Sequence, residues 1–138
     1  NSGREITLVD NAFQHERDWL WQVVFHEIGH NWEEESAAWG EFLDLSGWVP
    51  RWSLSTGDTP PPSSQSVSGD GEWLYDTARQ GNFAEDYGKT NPYEDFATVF
   101  AAWFMDFTGR PYLDGGTGGE ITAKLSLVGG ILDALAAA

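Results

Sequence analysis

His26-Glu27-Ile28-Gly29-His30 places two imidazoles four residues apart in the chain. On one helix such residues lie about 40° apart around the axis, so both rings can grip a single cation. Zinc suits the pair, because it accepts imidazole nitrogens and in reactive sites keeps a position open for water. Glu27 can lean toward that water and take its proton. The same five residues also fit a helix whose histidines are half-buried and merely hydrogen-bonded. A third ligand elsewhere in the chain separates the two readings.

The elements that must position these groups follow from periodicity. Residues 18–34 read as a helix, with Leu20, Val23, Val24, Phe25, Ile28 and Trp32 supplying apolar faces. Gly29 weakens that helix but permits close approach of another backbone. Residues 35–45 read as a second helix ended by Ser46-Gly47. Residues 6–9 read as a strand, and residues 48–54 as an extended edge segment, since Pro50 cannot donate to a ladder. Residues 56–71, with Pro60-Pro61-Pro62, read as a flexible surface loop. Asn91-Pro92 opens a helix running to Phe107, with Asn91 as cap and Pro92 at the first position. Phe96, Val99, Phe100, Trp103, Phe104 and Phe107 form its greasy stripe, beside the smaller Ala97, Thr98, Ala101 and Ala102. Residues 120–136 read as a last amphipathic helix. The whole is read as one domain over residues 1–138, of the α+β class and rich in helix.

Three candidates arise for the third ligand. The extended metzincin motif would put Gly at 33 and His at 36; the chain has Glu33 and Ser36. His15 lies before the motif and reads as a surface residue. Glu94 is the best placed, in the first turn of the 92–107 helix, on the side of Thr98 and Ala101. Asp95 is its rival one residue on. Glu94 also has capping-box spacing from Asn91.

Tyr87-Gly88-Lys89-Thr90-Asn91-Pro92-Tyr93-Glu94-Asp95-Phe96-Ala97, together with the pentapeptide, resembles the paired signatures of gluzincins of the lethal-factor and Pro-Pro endopeptidase type. The resemblance implies a zincin-like fold with a small mixed sheet and an active-site helix carrying the pentapeptide. It implies one zinc ion held by His26, His30 and Glu94, Glu27 as general base, and Tyr87 as the phenol that meets the oxyanion. The family often has a second glutamate where this chain has Thr98, a residue that supports a histidine ligand. The Thr98 hydroxyl offers a substitute acceptor.

The function expected is zinc-dependent endopeptidase activity on a peptide or protein. An extended substrate would pair near residues 48–54, with Trp48 and Trp52 as substrate contacts. Trp39 and Trp73 are further candidates, although large aromatics mostly serve the core. Two alternatives use the same residues: a hydrolase of cell-wall peptide cross-links, and a non-catalytic zinc-binding module that recognises a partner through an acidic, Trp-rich surface. With 22 acidic against 7 basic residues the net charge is -15, which disfavours nucleic acid and anionic membranes. No apolar run approaches the ~20 residues needed to cross a bilayer, so no membrane insertion is expected. The absence of cysteine rules out disulfides and thiolate metal sites. The chain reads as a monomer from a secreted, bacterial-type protein, with any signal peptide outside it. Loop acids such as Asp70 and Asp114 offer oxygens to calcium, but no EF-hand pattern is present.

Overall fold

The computed structural model describes residues 17–33, 38–53, 63–110, 112 and 121–137. The expected strand at 6–9, His15 and Asp114 lie outside these residues. The described architecture is α+β, mostly helical, with one small three-stranded antiparallel sheet. Four helices run α1 Arg17–Gly29, α2 Trp39–Ser46, α3 Pro92–Phe107 and α4 Thr122–Ala136. The strands are β1 Val49–Pro50, β2 Gln65–Val67 and β3 Trp73–Asp76, in the order β1-β3-β2. Among the described residues the sheet is antiparallel rather than mixed, since both edge strands pair antiparallel with β3.

β2 also corrects the reading of residues 56–71 as loop throughout. Gln65-Ser66-Val67 carries no hydrophobic alternation, so only its partner reveals it. Gln65 pairs with Asp76, Ser66 with Tyr75 and Val67 with Leu74. Residues 54–62 lie outside the described set. β1 is an edge strand, as Pro50 demands, but it is two residues long and gives way to a 3-10 turn at Arg51–Ser53.

α3 is the central element. Phe96, Val99 and Phe100 are all but fully buried, and Phe42 of α2 and Val128 of α4 join them in the main core. A second, smaller cluster of Trp48, Tyr75 and Phe83 sits beneath the sheet. The greasy stripe of α3 does not stay inside to its end, since Phe107 is exposed and stacks on Trp103.

α1 lies against α3 through its last turn. A Cβ built on Gly29 would stand 3.0 Å from the Ala97 Cα and 3.1 Å from the Phe100 Cβ. The close approach anticipated for Gly29 is thus made, onto Ala97 and Phe100. Thr98 instead faces the backbone at Gly88. Gly29→Ala is expected to gain up to about 1 kcal/mol of helix propensity and to lose more by overpacking, which typically costs about 1–3 kcal/mol. Chemical denaturation should show a lowered midpoint; a raised one would mean that the two helices can part without cost.

α1 stops at Gly29, short of the expected residue 34. The Asn31 amide donates to the carbonyls of Glu27, at 3.1 Å, and Ile28, at 3.4 Å. Backbone bonds then tighten from the His30-to-His26 span of four to spans of three, Asn31 to Ile28 and Trp32 to Gly29. A side chain three residues on is thereby brought nearly over its predecessor.

Candidate metal centre

His26 and Glu27 ride on the last turn of α1, and His30 follows it directly. Glu94 is the third residue of α3. Pro92 presets the first turn and the Asn91 side chain accepts from the Glu94 backbone N–H at 2.9 Å. The return half of a capping box is not made with the Glu94 carboxylate, which turns to the histidines. Its Oε2 stands 3.0 Å from His26 Nε2 and 3.4 Å from His30 Nε2, and the two Nε2 atoms are 3.2 Å apart. Sequence reasoning named all three residues, and the fold brings them together across the α1–α3 contact.

Asp95, the rival ligand, is elsewhere. It is fully buried and turned to the opposite side, where it accepts two hydrogen bonds from Lys124 Nζ at 2.6 and 2.7 Å. It also accepts from the Trp48 indole N–H at 2.8 Å and the Ser46 hydroxyl at 3.2 Å. Burial pushes the Asp95 carboxyl up and the Lys124 ammonium down, and their mutual attraction opposes both shifts. Trp48 is therefore corrected as a substrate contact. It is only 4% exposed, and its polar edge is committed to Asp95. Trp52 is 80% exposed and stays available. Trp39 and Trp73 both pack on Tyr93. The calcium reading is also narrowed, because Asp70 Oδ1 accepts from the Ser68 hydroxyl at 2.6 Å and the Glu72 N–H at 2.9 Å, closing a turn.

The donor set fits zinc. Ligands at about 2.0–2.1 Å in a tetrahedron place neighbouring donor atoms about 3.3 Å apart, and the separations here are 3.0, 3.2 and 3.4 Å. Glu94 Oε2 is buried and receives no hydrogen bond, although two imidazole nitrogens face it at close range. If both Nε2 atoms carry lone pairs, the three converging acceptors repel one another, and either a shared cation or a proton on an imidazole relieves this. The side chains are 16%, 23% and 19% exposed for His26, His30 and Glu94, so one side of the cluster is open to solvent.

Without metal, charge on the histidines meets part of this need. Burial would lower the His30 pKa, but the carboxylates of Glu33 and Glu94 outweigh it and raise it from 6.5 to about 10. Burial would raise Glu94, but the two imidazoles outweigh it and lower it from 4.5 to about 2. The raised His30 stabilises the metal-free fold in full below pH 6.5, an advantage lost as pH rises through about 10. The depressed Glu94 stabilises it above pH 4.5, and that is lost as pH falls through about 2. At neutral pH zinc must therefore displace a proton from His30. Affinity is expected to tighten about tenfold per unit between about pH 7 and about pH 9. Calorimetry in buffers of different ionisation heat measures the released proton; a heat independent of the buffer would show that none leaves.

Tyr87 lies on the 3-10 helix Asp86–Thr90 that precedes α3. The residue is 53% exposed and its ring is centred 5.9 Å from the His26 ring. Burial of the hydroxyl, then the negative charge of Glu94 and Glu27, pushes its pKa above the usual phenol value, so it remains a proton donor. This segment is pinned on two sides. Gly69 and Asp70, at the tip between β2 and β3, donate to the carbonyls of Lys89 and Thr90 at 3.0 and 3.1 Å. Gly88 lies flat on α3, where a Cβ would stand 3.0 Å from Thr98 Oγ1.

The sequence reading missed one residue of the cluster. Glu33 Oε2 stands 3.1 Å from His30 Nδ1. Its spacing of three from His30 was visible and places the two on one side of a helical turn. The Thr98 hydroxyl is placed elsewhere: it donates to the Asp95 carbonyl at 2.9 Å and lies against Gly88. Among the described residues no helix is long and apolar enough to cross a membrane. Comparison of the chain with protein-family models, with curated proteins and with solved structures gives no match.

Proposed function

We propose that the protein is a zinc-dependent endopeptidase of zincin-like architecture. The observation that carries this reading is the convergence of His26, His30 and Glu94 at the separations a tetrahedral ion requires. In its favour also stand Glu27, next to His26 on the same helix turn, and a protonated Tyr87 near the His26 ring.

His26, His30 and Glu94 would hold the ion. When bound, zinc supplies the Lewis acidity that makes water nucleophilic near neutral pH. Glu27 takes a proton from the attacking water and delivers it to the leaving amine as the C–N bond breaks. The Tyr87 hydroxyl donates to the carbonyl oxygen as that oxygen gains charge. The exposed Trp52, beside the edge strand β1, is retained as a contact for an extended peptide.

The test is mass-spectrometric profiling of a mixed peptide library with zinc-loaded protein, using Glu27→Gln as control. Cuts made by the wild type and absent from the control support a peptidase and reveal its preferred side chains. A protein that holds one zinc and cuts nothing, cell-wall cross-link peptides included, would instead be a binding module.

A further inference from the structure

Most of the cluster has one nitrogen per imidazole to commit, and for His30 the choice is made by its surroundings. A neutral imidazole carries its proton on one nitrogen only, and the hydrogen bond at that nitrogen decides which one is left to bind metal. At His30 the only carboxylate against Nδ1 that the described residues supply is Glu33, with Oε2 at 3.1 Å. Nε2 of the same ring is the atom that faces His26 and Glu94. The Glu33 side chain is 19% exposed, so its carboxylate is partly withdrawn from solvent, where a hydrogen bond to a charged group counts for more.

The backbone sets the spacing that lets Glu33 reach the ring. After Gly29 the hydrogen bonds shorten to spans of three, Asn31 to Ile28 and Trp32 to Gly29, and Glu33 follows three residues beyond His30. Asn31 holds that turn by taking the carbonyls of Glu27 and Ile28. On a helical turn of either kind, residues three apart are neighbours. The Thr98 hydroxyl lies against Gly88 and donates to the Asp95 carbonyl, apart from the Nδ1 side of His30.

We propose that Glu33 is the positioning residue of the metal centre. It accepts the Nδ1–H of His30, fixes the ring's orientation and tautomer, and leaves Nε2 as the ligand atom. The role rests on the zinc reading of the cluster. It acts on metal affinity rather than on the bond being cut, so it is separable from peptidase activity.

The experiment compares zinc affinity in wild type, Glu33→Ala and Glu33→Gln by competition with a chromophoric chelator. Nitrogen-15 NMR of the zinc-loaded proteins reports which His30 nitrogen bears the proton. Loss of such a partner typically weakens metal binding about 10–100-fold, and that is expected for Glu33→Ala. Glu33→Gln should recover part of the loss, because its amide oxygen still accepts Nδ1–H without the charge. Both variants should keep the wild-type helical spectrum, since residue 33 lies beyond the end of α1. Wild-type affinity in Glu33→Ala would overturn the proposal, and so would a Gln variant as weak as the Ala one. A wild type that takes up no zinc would overturn the metal centre itself. Absent peptide cleavage with normal zinc uptake would touch only the function proposed above.

Discussion

Glu27→Gln is expected to lower peptide cleavage by about 10²–10⁴-fold, the usual contribution of a positioned general base, while zinc content stays at one ion per chain. The expectation follows from what the substitution preserves. Gln matches Glu in size and can occupy the same half-buried place on α1, so the histidines on either side keep their supports. What disappears is the ability to take up a proton. None of the three converging donor atoms belongs to Glu27, so the ion should not notice. The check is paired: initial rates on a cleaved reporter peptide, and metal content by atomic absorption on the same sample. Wild-type rates in the variant would move the base elsewhere. Loss of zinc would make Glu27 a ligand, in conflict with the cluster's geometry.

Lys124→Met is expected to destabilise the fold by about 3–5 kcal/mol, the range for breaking a buried ion pair from one side. In a domain whose total stability is of order 5–15 kcal/mol this is a large fraction. Both partners are wholly withdrawn from solvent. The ammonium lies 4.5 Å from the Phe83 ring centre and 5.0 Å from that of Phe42, so aromatic faces flank it beside Asp95. Removing it leaves a carboxylate with only the Trp48 indole and the Ser46 hydroxyl. Adding Asp95→Asn should restore most of the loss, because a neutral amide oxygen still accepts from Trp48 and no charge remains unpaired. Denaturant unfolding of the two singles and the double closes the cycle. Equal midpoints for wild type and Lys124→Met would show that the buried charge needs no partner.

The two halves of the cluster differed in how far the sequence disclosed them. His26, Glu27 and His30 are legible because four-residue spacing on a helix is local geometry. Glu94 is legible because Asn91-Pro92 announces where its helix begins, which fixes its position in the first turn. The choice between Glu94 and Asp95 is not local. It depends on Lys124, and Lys124 was readable only in part. It falls among Ile121, Leu125 and Val128, a place where the helical period calls for an apolar residue, and a cation there implies a buried anion. Nothing in the period says which anion. Trp48 was misplaced for the same reason, since its indole N–H serves the carboxylate that sequence could not locate. β2 was hidden because a polar segment becomes a strand only through its neighbour. Glu33 was passed over because it touches a ligand without being one, although its spacing of three from His30 is local geometry.

The hairpin tip that holds Lys89 and Thr90 bears on how work is divided between folding and turnover. A tyrosine more than half in solvent would ordinarily sit on a segment that wanders, and each arriving partner would have to still it. Here two amides at one end and a helix surface beneath Gly88 have already done so. The freedom given up by this stretch of backbone is lost once, when the chain folds, and not again at every encounter. Tyr87 thus meets whatever approaches the cluster as a fixed fitting that is reachable from outside, with only its side-chain rotation left to settle.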